Sequence, residues 1–426
     1  MNQQTRYETY SYKLTTLSPL HIGTGEEMLP MEYFIDRQQN RIIVPELEKL
    51  FACDTNLAPT YFKSLSATQN LGRTFNDLLS DHKPLFEPTN WRYSTCGTDK
   101  EGPYKFPFQQ PLGEELKKNG GKIRLATKNS NYQVYIPGSS IKGALRTAWL
   151  YKHAVNDKEL LEYISKCQFD RDADRDLNNE ILQGKADPKD RNADPKNKIY
   201  DLFRVVQVGD SQPLPSNDVL GLVAERILSA KALLSEKDKP LKIDAKLKDS
   251  WTFYEAIRRD STFTGKIIFD VGILNSSKAT EKMGWTPEQK KLSLTTLCQA
   301  VNEFAKNACE LETEYFSKLQ TVDEQCEMEQ VAKFYGDEML KEISNATPNT
   351  MYFSLGHGSG WHKLTIGELL RKKLSTAEFK VLRSRFKLAT DRLDFEYPKS
   401  RKLPMSKKYR AARPFGWVKI EFSKVS

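Results

Sequence analysis

The segment Tyr135–Tyr151, YIPGSSIKGALRTAWLY, decides the fold, because a β-type run stops at Pro137-Gly138, two serines follow, and a helical pattern starts at once. Pro-Gly ends the strand, and Ser139 and Ser140 offer side-chain oxygens to the free amides of a first helical turn. Ile141, Leu145, Ala148 and Trp149 recur at helical spacing and predict a helix from Ser139 to about His153 with one apolar face. Its start presents backbone N–H groups and the positive end of the helix dipole, with Lys142 and Arg146 one turn apart, an arrangement that suits phosphate. The spacing of Gly138 and Gly143 imitates a P-loop, but Ala144 and Leu145 stand where Lys and Ser or Thr belong, which argues against an NTPase. A plain capped helix with solvated cations is the competing reading.

Upstream, Tyr10–Leu17 reads as a strand followed by a glycine turn, and Met31–Asp36 with Arg41–Val44 as a hairpin. Pro45 starts a short helix through Phe51, residues 60–80 read as helical, residues 81–121 as an irregular insertion rich in Pro, Gly and Lys, and Tyr132–Ile136 as a strand. Downstream, 167–200 is a polar surface insertion. Its Asp170, Asp172, Asp174 and Asp176 fail the calcium-loop pattern, since the required Gly and Glu are replaced by Arg175 and Ile181. Strands are expected at Leu202–Val208, Val219–Leu228, Trp251–Ile257, Thr262–Ile273, Met351–Leu355 and Trp417–Phe422. Helices are expected from Pro287 to about Phe316, over Asp323–Ser344 and over Ser375–Thr390. Short strands mixed with helices make the class α+β, and two rounds of strand, helix and glycine loop suit a duplicated domain.

The chain of 426 residues has room for two or three domains. Its 65 Lys and Arg against 56 Asp and Glu leave a net charge of +9, which favours a polyanionic partner without proving one. The 6 cysteines are scattered without a C-x-x-C pair, so neither a zinc knuckle nor a disulfide framework is indicated, and no metal or other cofactor is expected. No apolar run reaches transmembrane length and the opening residues lack a secretory apolar core, so no membrane association is expected and the cytoplasm is the expected location.

Three further stretches carry chemistry. In LSPLHIGTGEE, 17–27, Gly23 and Gly25 bring backbone close to any ligand beside His21, although a lone histidine is more often a packed residue. SLGHGSGWHKLTIG, 354–367, alternates Gly356, Gly358 and Gly360 with His357, Trp361, His362 and Lys363. It reads as a flexible amide-rich loop with a stacking face, or alternatively as a linker. Lys399, Arg401, Lys402, Lys407, Lys408, Arg410 and Arg413 lie in an acid-free stretch with Tyr397, Tyr409, Phe415 and Trp417, the cation and aromatic mixture that single strands need; a solvated basic loop fits it too. The bends at Gly138–Ser140 and Gly356–Gly360 are expected to converge on one ribose-phosphate track.

Together and in this order, the three glycine motifs resemble the RAMP superfamily of CRISPR proteins, whose members are built on ferredoxin-like, RRM-like folds. IPGSSIKGALRTA at 136–148, FRVVQVGDSQPL at 203–214 and GHGSGWHK at 356–363 look most like the fifth Csm subunit of type III-A effector complexes. The resemblance implies two ferredoxin-like (RRM-like) RAMP domains with helical and loop insertions. One spans 1–235 with insertions at about 81–121 and 167–200, the other 236–426 with a helical segment at about 287–344. It also implies a non-catalytic subunit that binds the single-stranded guide RNA (crRNA), caps the stem of the complex on the 3′ side and contributes to guide maturation. Its partners would be other Csm subunits, above all the repeating backbone subunit, and host trimming nucleases. Carried over, RNA contacts fall on His21, Gly23, Gly25, Ser139, Ser140, Lys142, Arg146 and Gly356 to Lys363. An RRM's aromatic RNP1 pattern is missing, which favours backbone binding. Two enzymes compete with this reading. One is a metal-independent RAMP endoribonuclease using His21, His357 or His362 for proton transfer; the other is a metal-dependent nuclease using Asp210.

Overall fold

The computed structural model describes residues 6–36, 41–67, 87–96, 116, 121–155, 181–184, 198–231, 243–320, 328–390, 393, 397–405 and 413–425. The Asp-rich run at 170–176, most of 81–121, and Lys407, Lys408 and Arg410 lie outside them.

Alternation builds the central sheet. In the strand Tyr7–Thr16, Tyr12, Leu14 and Thr16 are buried while Ser11 and Lys13 are exposed, the period of two that lays one face on a core. This strand pairs antiparallel with Thr262–Asp270 on one side and with Trp417–Lys424 on the other. Thr350–Ser354 and Val206–Val208 form the two edges of the resulting five-stranded sheet. Without the Thr350–Ser354 edge, the order is strand, helix Gly138–Ala154, strand, strand, helix Leu294–Lys318, strand. In space the fourth strand lies beside the first, then the third, then the second, which is the ferredoxin-like arrangement. The two helices pack on each other, with the rings of Tyr151 and Phe304 4.9 Å apart.

A nine-stranded mixed sheet lies beside it. Its main path runs Gly23–Met28, Ile123–Ala126, Ile243–Ile257, Leu220–Lys231, Trp91–Cys96, Arg41–Pro45, Phe34–Asp36. Leu319–Gln320 adds to Ile243–Ile257, and Ser400–Pro404 to Leu220–Lys231. The boundary expected at 235/236 falls between the paired strands Leu220–Lys231 and Ile243–Ile257, and both sheets draw strands from either side of it.

Where elements depart from the sequence reading, a local group explains the break. The strand expected over Thr262–Ile273 stops at Asp270, whose Oδ1 accepts the Ile273 N–H at 3.2 Å and caps the short helix Val271–Asn275. The helix expected from Pro287 begins at Leu294, because Ser293 and Thr296 form a reciprocal capping box. Leu202–Val205 is a 3-10 turn capped by Asp201 rather than strand. Pro45 ends a strand, and the helix follows at Leu47–Cys53. Of the helix expected over Asp323–Ser344, residues 323–327 lie outside the described ones, and from Met328 it is interrupted by a π turn, Phe334–Met339, which packs Tyr335 against Trp417. The helix starting at Thr376 ends at Arg385 instead of Thr390, because the Arg383 guanidinium donates to the carbonyls of Leu388, Ala389 and Leu393 and closes the loop. Within the expected irregular insertion, Trp91–Cys96 is a strand.

Gly138 fixes how the first helix meets the sheet: a β-carbon there would lie 2.2 Å from the carbonyl oxygen of Val208. Gly138→Ala is therefore expected to lower stability by about 1–3 kcal/mol in urea unfolding. Gly143→Ala, where nothing lies within 4 Å of the new carbon, is expected to raise it by up to about 1 kcal/mol.

Candidate nucleic-acid interface

The helix Gly138–Ala154 starts after Pro137 with no side-chain cap of its own. The Gly138 N–H instead donates to Asp210 Oδ1 at 2.7 Å, so a carboxylate from the loop after Val206–Val208 already sits at the positive end of the dipole. This places Asp210, the alternative metal-binding acid, as an acceptor for the helix start. Ser139 and Gly143 are exposed, Ser140 and Lys142 half-buried, and burial pushes the Lys142 ammonium down from its usual range. Arg146 faces inward along the same helix: its guanidinium donates to both oxygens of Asp201 at 2.9 and 2.7 Å and lies over the Phe203 ring.

The other two glycine motifs meet each other. The His357 N–H donates to the His21 carbonyl at 2.8 Å, and the two imidazole rings are 5.8 Å apart. Gly356, at φ +68°, leaves room for that contact, since a β-carbon would fall 2.4 Å from the His21 oxygen. Gly358 is packed on Phe415 in the same way. The loop expected to be flexible is thus a packed turn, and among its glycines Gly360 has open space beside it, as Gly25 does in the first motif. Gly23 is exposed, with His21 Nε2 directly beneath it. The expected convergence of Gly138–Ser140 with Gly356–Gly360 needs correction. The former lies against the Val206–Val208 edge of the five-stranded sheet and the latter follows the Thr350–Ser354 edge, so the two bends flank the sheet from opposite edges.

Beyond Gly360 the motif turns inside. His362 is 5% exposed, with Nδ1 2.7 Å from Glu368 and Nε2 2.9 Å from the Arg401 guanidinium. Arg401 in turn pairs with the buried Glu312 at 2.7 Å, and Lys363, also buried, lies over the rings of Tyr335 and Trp417. Trp361 is half-buried against Gly367, with Tyr397 4.9 Å away, so much of its expected stacking surface is covered by the chain itself. Arg413 pairs with Glu338 at 2.6 Å.

Sequence reading missed the buried acids at the junction of the nine-stranded sheet with the His21 and His357 loops. Glu255, 0% exposed, accepts from the Tyr93 hydroxyl at 2.8 Å, from the Ala126 N–H at 3.0 Å and from the Lys128 ammonium. Its backbone carbonyl accepts the Nδ1–H of His21 at 2.6 Å, which fixes the tautomer and turns Nε2 towards Gly23. Burial holds His21 down at about 4. Glu225, equally buried, accepts from the Tyr254 hydroxyl at 3.2 Å and contacts His357 Nε2 at 2.5 Å. The signal for both was a lone acid inside an apolar strand, LGLVAERIL at 220–228 and FYEAI at 253–257.

With this geometry in view, the sequence profile of the RAMP superfamily matches residues 13–358, and the chain belongs to that superfamily. Within it, the chain is a CRISPR protein homologous to the Csm5 subunit of the type III-A Csm complex. It is 24% identical over 431 residues to CRISPR system Cms protein Csm5 of Methanocaldococcus jannaschii, covering 97% of this chain and 88% of that one. To the Csm5 of Streptococcus thermophilus it is 32% identical over 247 residues, 55% of this chain and 59% of the relative. The fold is like that of a chain in the cryo-EM structure of a Csm–crRNA–target RNA ternary complex of a type III-A CRISPR–Cas system. That match has TM-score 0.63 and 23% identity, and covers 97% of this chain and 100% of the other. It is also like the crystal structure of T. onnurineus Csm5, with TM-score 0.59, 20% identity, and 95% and 99% coverage.

Two outcomes are expected of the junction. His21 is held neutral in the folded protein, at about 4 against about 6.5 when unfolded, so its contribution to stability is complete above pH 6.5 and is lost as pH falls towards 4. Urea midpoints measured across that window should fall more steeply for the wild type than for His21→Gln. Glu255→Gln leaves the Lys128 ammonium buried beside a neutral amide and should cost about 3–5 kcal/mol. Adding Lys128→Met is expected to recover part of that loss in the same unfolding assay.

Proposed function

We propose that this chain is a non-catalytic crRNA-binding subunit of a type III-A Csm complex, capping its stem on the 3′ side of the crRNA and contributing to crRNA maturation in antiviral defence. The observation that carries the reading is the open helix start, Ser139, Ser140, Lys142 and Gly143, in a chain similar to a Csm5 protein over 97% of its length. In this reading the serine hydroxyls and Lys142 meet backbone phosphates, while Asp210 keeps the Gly138 amide occupied and holds the helix start in place. Gly25 and Gly360, each with free space where a side chain would stand, let a strand approach the paired loops at the other edge of the sheet. One flank meets the repeating backbone subunit, and trimming nucleases act on the RNA end that the subunit holds, in the cytoplasm. Support for a role without catalysis comes from the histidines. His362 is buried with both ring nitrogens against Glu368 and Arg401, and His21, also buried, gives its Nδ1–H to the Glu255 carbonyl, which suits fixing loops better than moving protons.

Lys142→Ala should weaken binding of single-stranded RNA alike for all sequences and reduce the slope of log affinity against log salt by roughly 0.7, the value for one phosphate contact on a single strand. A titration from low to high salt checks this. An unchanged slope removes Lys142 from the interface. A wild-type complex purified without any small RNA of defined length would reject the reading as a whole.

A further inference from the structure

Beside the early glycine motif, a cleft of about 310 Å³ opens between the strand Gly23–Met28, the turn before the helix Gly138–Ala154 and the Arg41–Pro45 and Trp91–Cys96 strands. One wall is aromatic: the rings of Tyr93 and Tyr132 stack at 5.8 Å with 28° between their planes. The guanidinium of Arg92 lies over Tyr132 at 5.5 Å, and the ammonium of Lys128 over Tyr93 at 4.5 Å. Met28, Met31, Val44 and Leu47 add an apolar lining, Val44 as the cross-strand neighbour of Tyr93.

The aromatic wall is rigidly built. Tyr93 and Lys128 both end on the buried Glu255 carboxylate, so neither swings away. Tyr132 sits at φ +58°, a left-handed backbone that a bulky residue adopts at a cost, and the surrounding turn enforces it. The Asn129 side chain accepts from the N–H groups of Asn131 at 3.0 Å and Gln133 at 2.9 Å, and the Ser216 hydroxyl donates to the Tyr132 carbonyl. A glycine would hold this turn without strain, yet the chain carries a ring there, aimed into the cleft.

Charge selects the ligand. The two cations in the walls are already matched, Lys128 by Glu255 and Arg92 by Glu46 at 3.1 Å, while the exposed carboxylates of Glu26 and Glu32 stand at the rim. Such a site repels phosphate and offers acceptors to ring N–H and amino groups. Flat, apolar walls with stacked rings and hydrogen-bond acceptors at the mouth suit a heterocyclic base, and the volume lies at the small end of the roughly 300–1,000 Å³ typical of ligand clefts.

We propose that this cleft is a base slot that receives one unstacked nucleobase of the bound RNA, which slides against the Tyr132 ring while the backbone follows the neighbouring Gly23–Gly25 bend. The slot rests on the RNA-binding reading above and adds to it a second mode of contact, with a base instead of the backbone.

The test uses the full chain and single-stranded RNA oligonucleotides carrying 2-aminopurine at one position at a time. In the wild type, fluorescence should be quenched beyond its level in free RNA at one register position. Tyr132→Gly, which keeps the left-handed backbone without strain, should abolish that quenching and weaken binding roughly tenfold. Tyr132→Phe should retain both. If the wild type binds RNA but no position is quenched, or if Tyr132→Gly quenches like the wild type, the slot is overturned and the backbone-binding reading stands. If the wild type binds no RNA, that reading falls and the slot falls with it.

Discussion

A carboxylate with no exposed surface is tolerated in a protein interior only when donors surround it, and the nine-stranded sheet is organised around one such group. Glu255 gathers Tyr93 from one strand, the Ala126 amide from another and the Lys128 ammonium from the turn beyond, while its own peptide carbonyl takes the His21 ring. Those residues are spread over more than two hundred positions of the chain, and no apolar contact would fix their relative orientation as sharply. His21 then passes the constraint on, because its carbonyl accepts the His357 amide and so anchors the late glycine turn. A second buried acid, Glu225, closes the circuit on the His357 ring. The early and late glycine motifs are therefore parts of one packed assembly.

That assembly changes what the glycines mean. Alternating glycines read in isolation suggest freedom of movement, whereas Gly356 and Gly416 are positions where a β-carbon would strike a carbonyl oxygen, at 2.4 and 2.3 Å, with positive φ at both. Their conformation is dictated by close approach of the backbone, and the loop owes its shape to what surrounds it. Gly25 and Gly360 differ in having nothing nearby, so their absent side chains leave surface instead of filling contacts. Glycines that all take positive φ thus serve opposite ends, and only the third dimension separates them.

Much of the α+β reading was available to periodicity. The helix beginning beside Gly138 and the alternating Tyr7–Thr16 and Thr262–Asp270 strands carry a regular apolar pattern, and these elements form two inner strands of the ferredoxin-like sheet and one of its helices. Less was legible where one side chain overrides the pattern, as Ser293 does by delaying the long helix and Asp270 by ending its strand. Pairing was harder still. Nothing local says that Trp417–Lys424 takes the place beside the first strand, or that Ser400–Pro404, read as part of a basic binding stretch, joins Leu220–Lys231. In the candidate site, the helix start was legible from the Pro137-Gly138 break and the apolar spacing after it, although neither Ser139 nor Ser140 caps it; the meeting of His21 with His357 was not legible, because their contact depends on acids buried in two other strands.

The same acids alter the electrostatic argument. A surplus of +9 suggests free cations at the motifs, yet Arg146 is matched by Asp201, Arg401 by Glu312, Arg413 by Glu338 and Lys128 by Glu255. A cation already paired inside the protein releases few counterions when RNA arrives, so these residues add rigidity more than affinity. Lys142 remains at the helix start, and Lys13 and Lys266 stand exposed on the outer face of the ferredoxin-like sheet. Among the described residues of these motifs, cations already paired give weak, register-tolerant attraction, and shape must supply the rest. Rigid turns held by internal ion pairs supply shape. The pairing that removes charge from the motifs is thus the same pairing that makes their geometry definite.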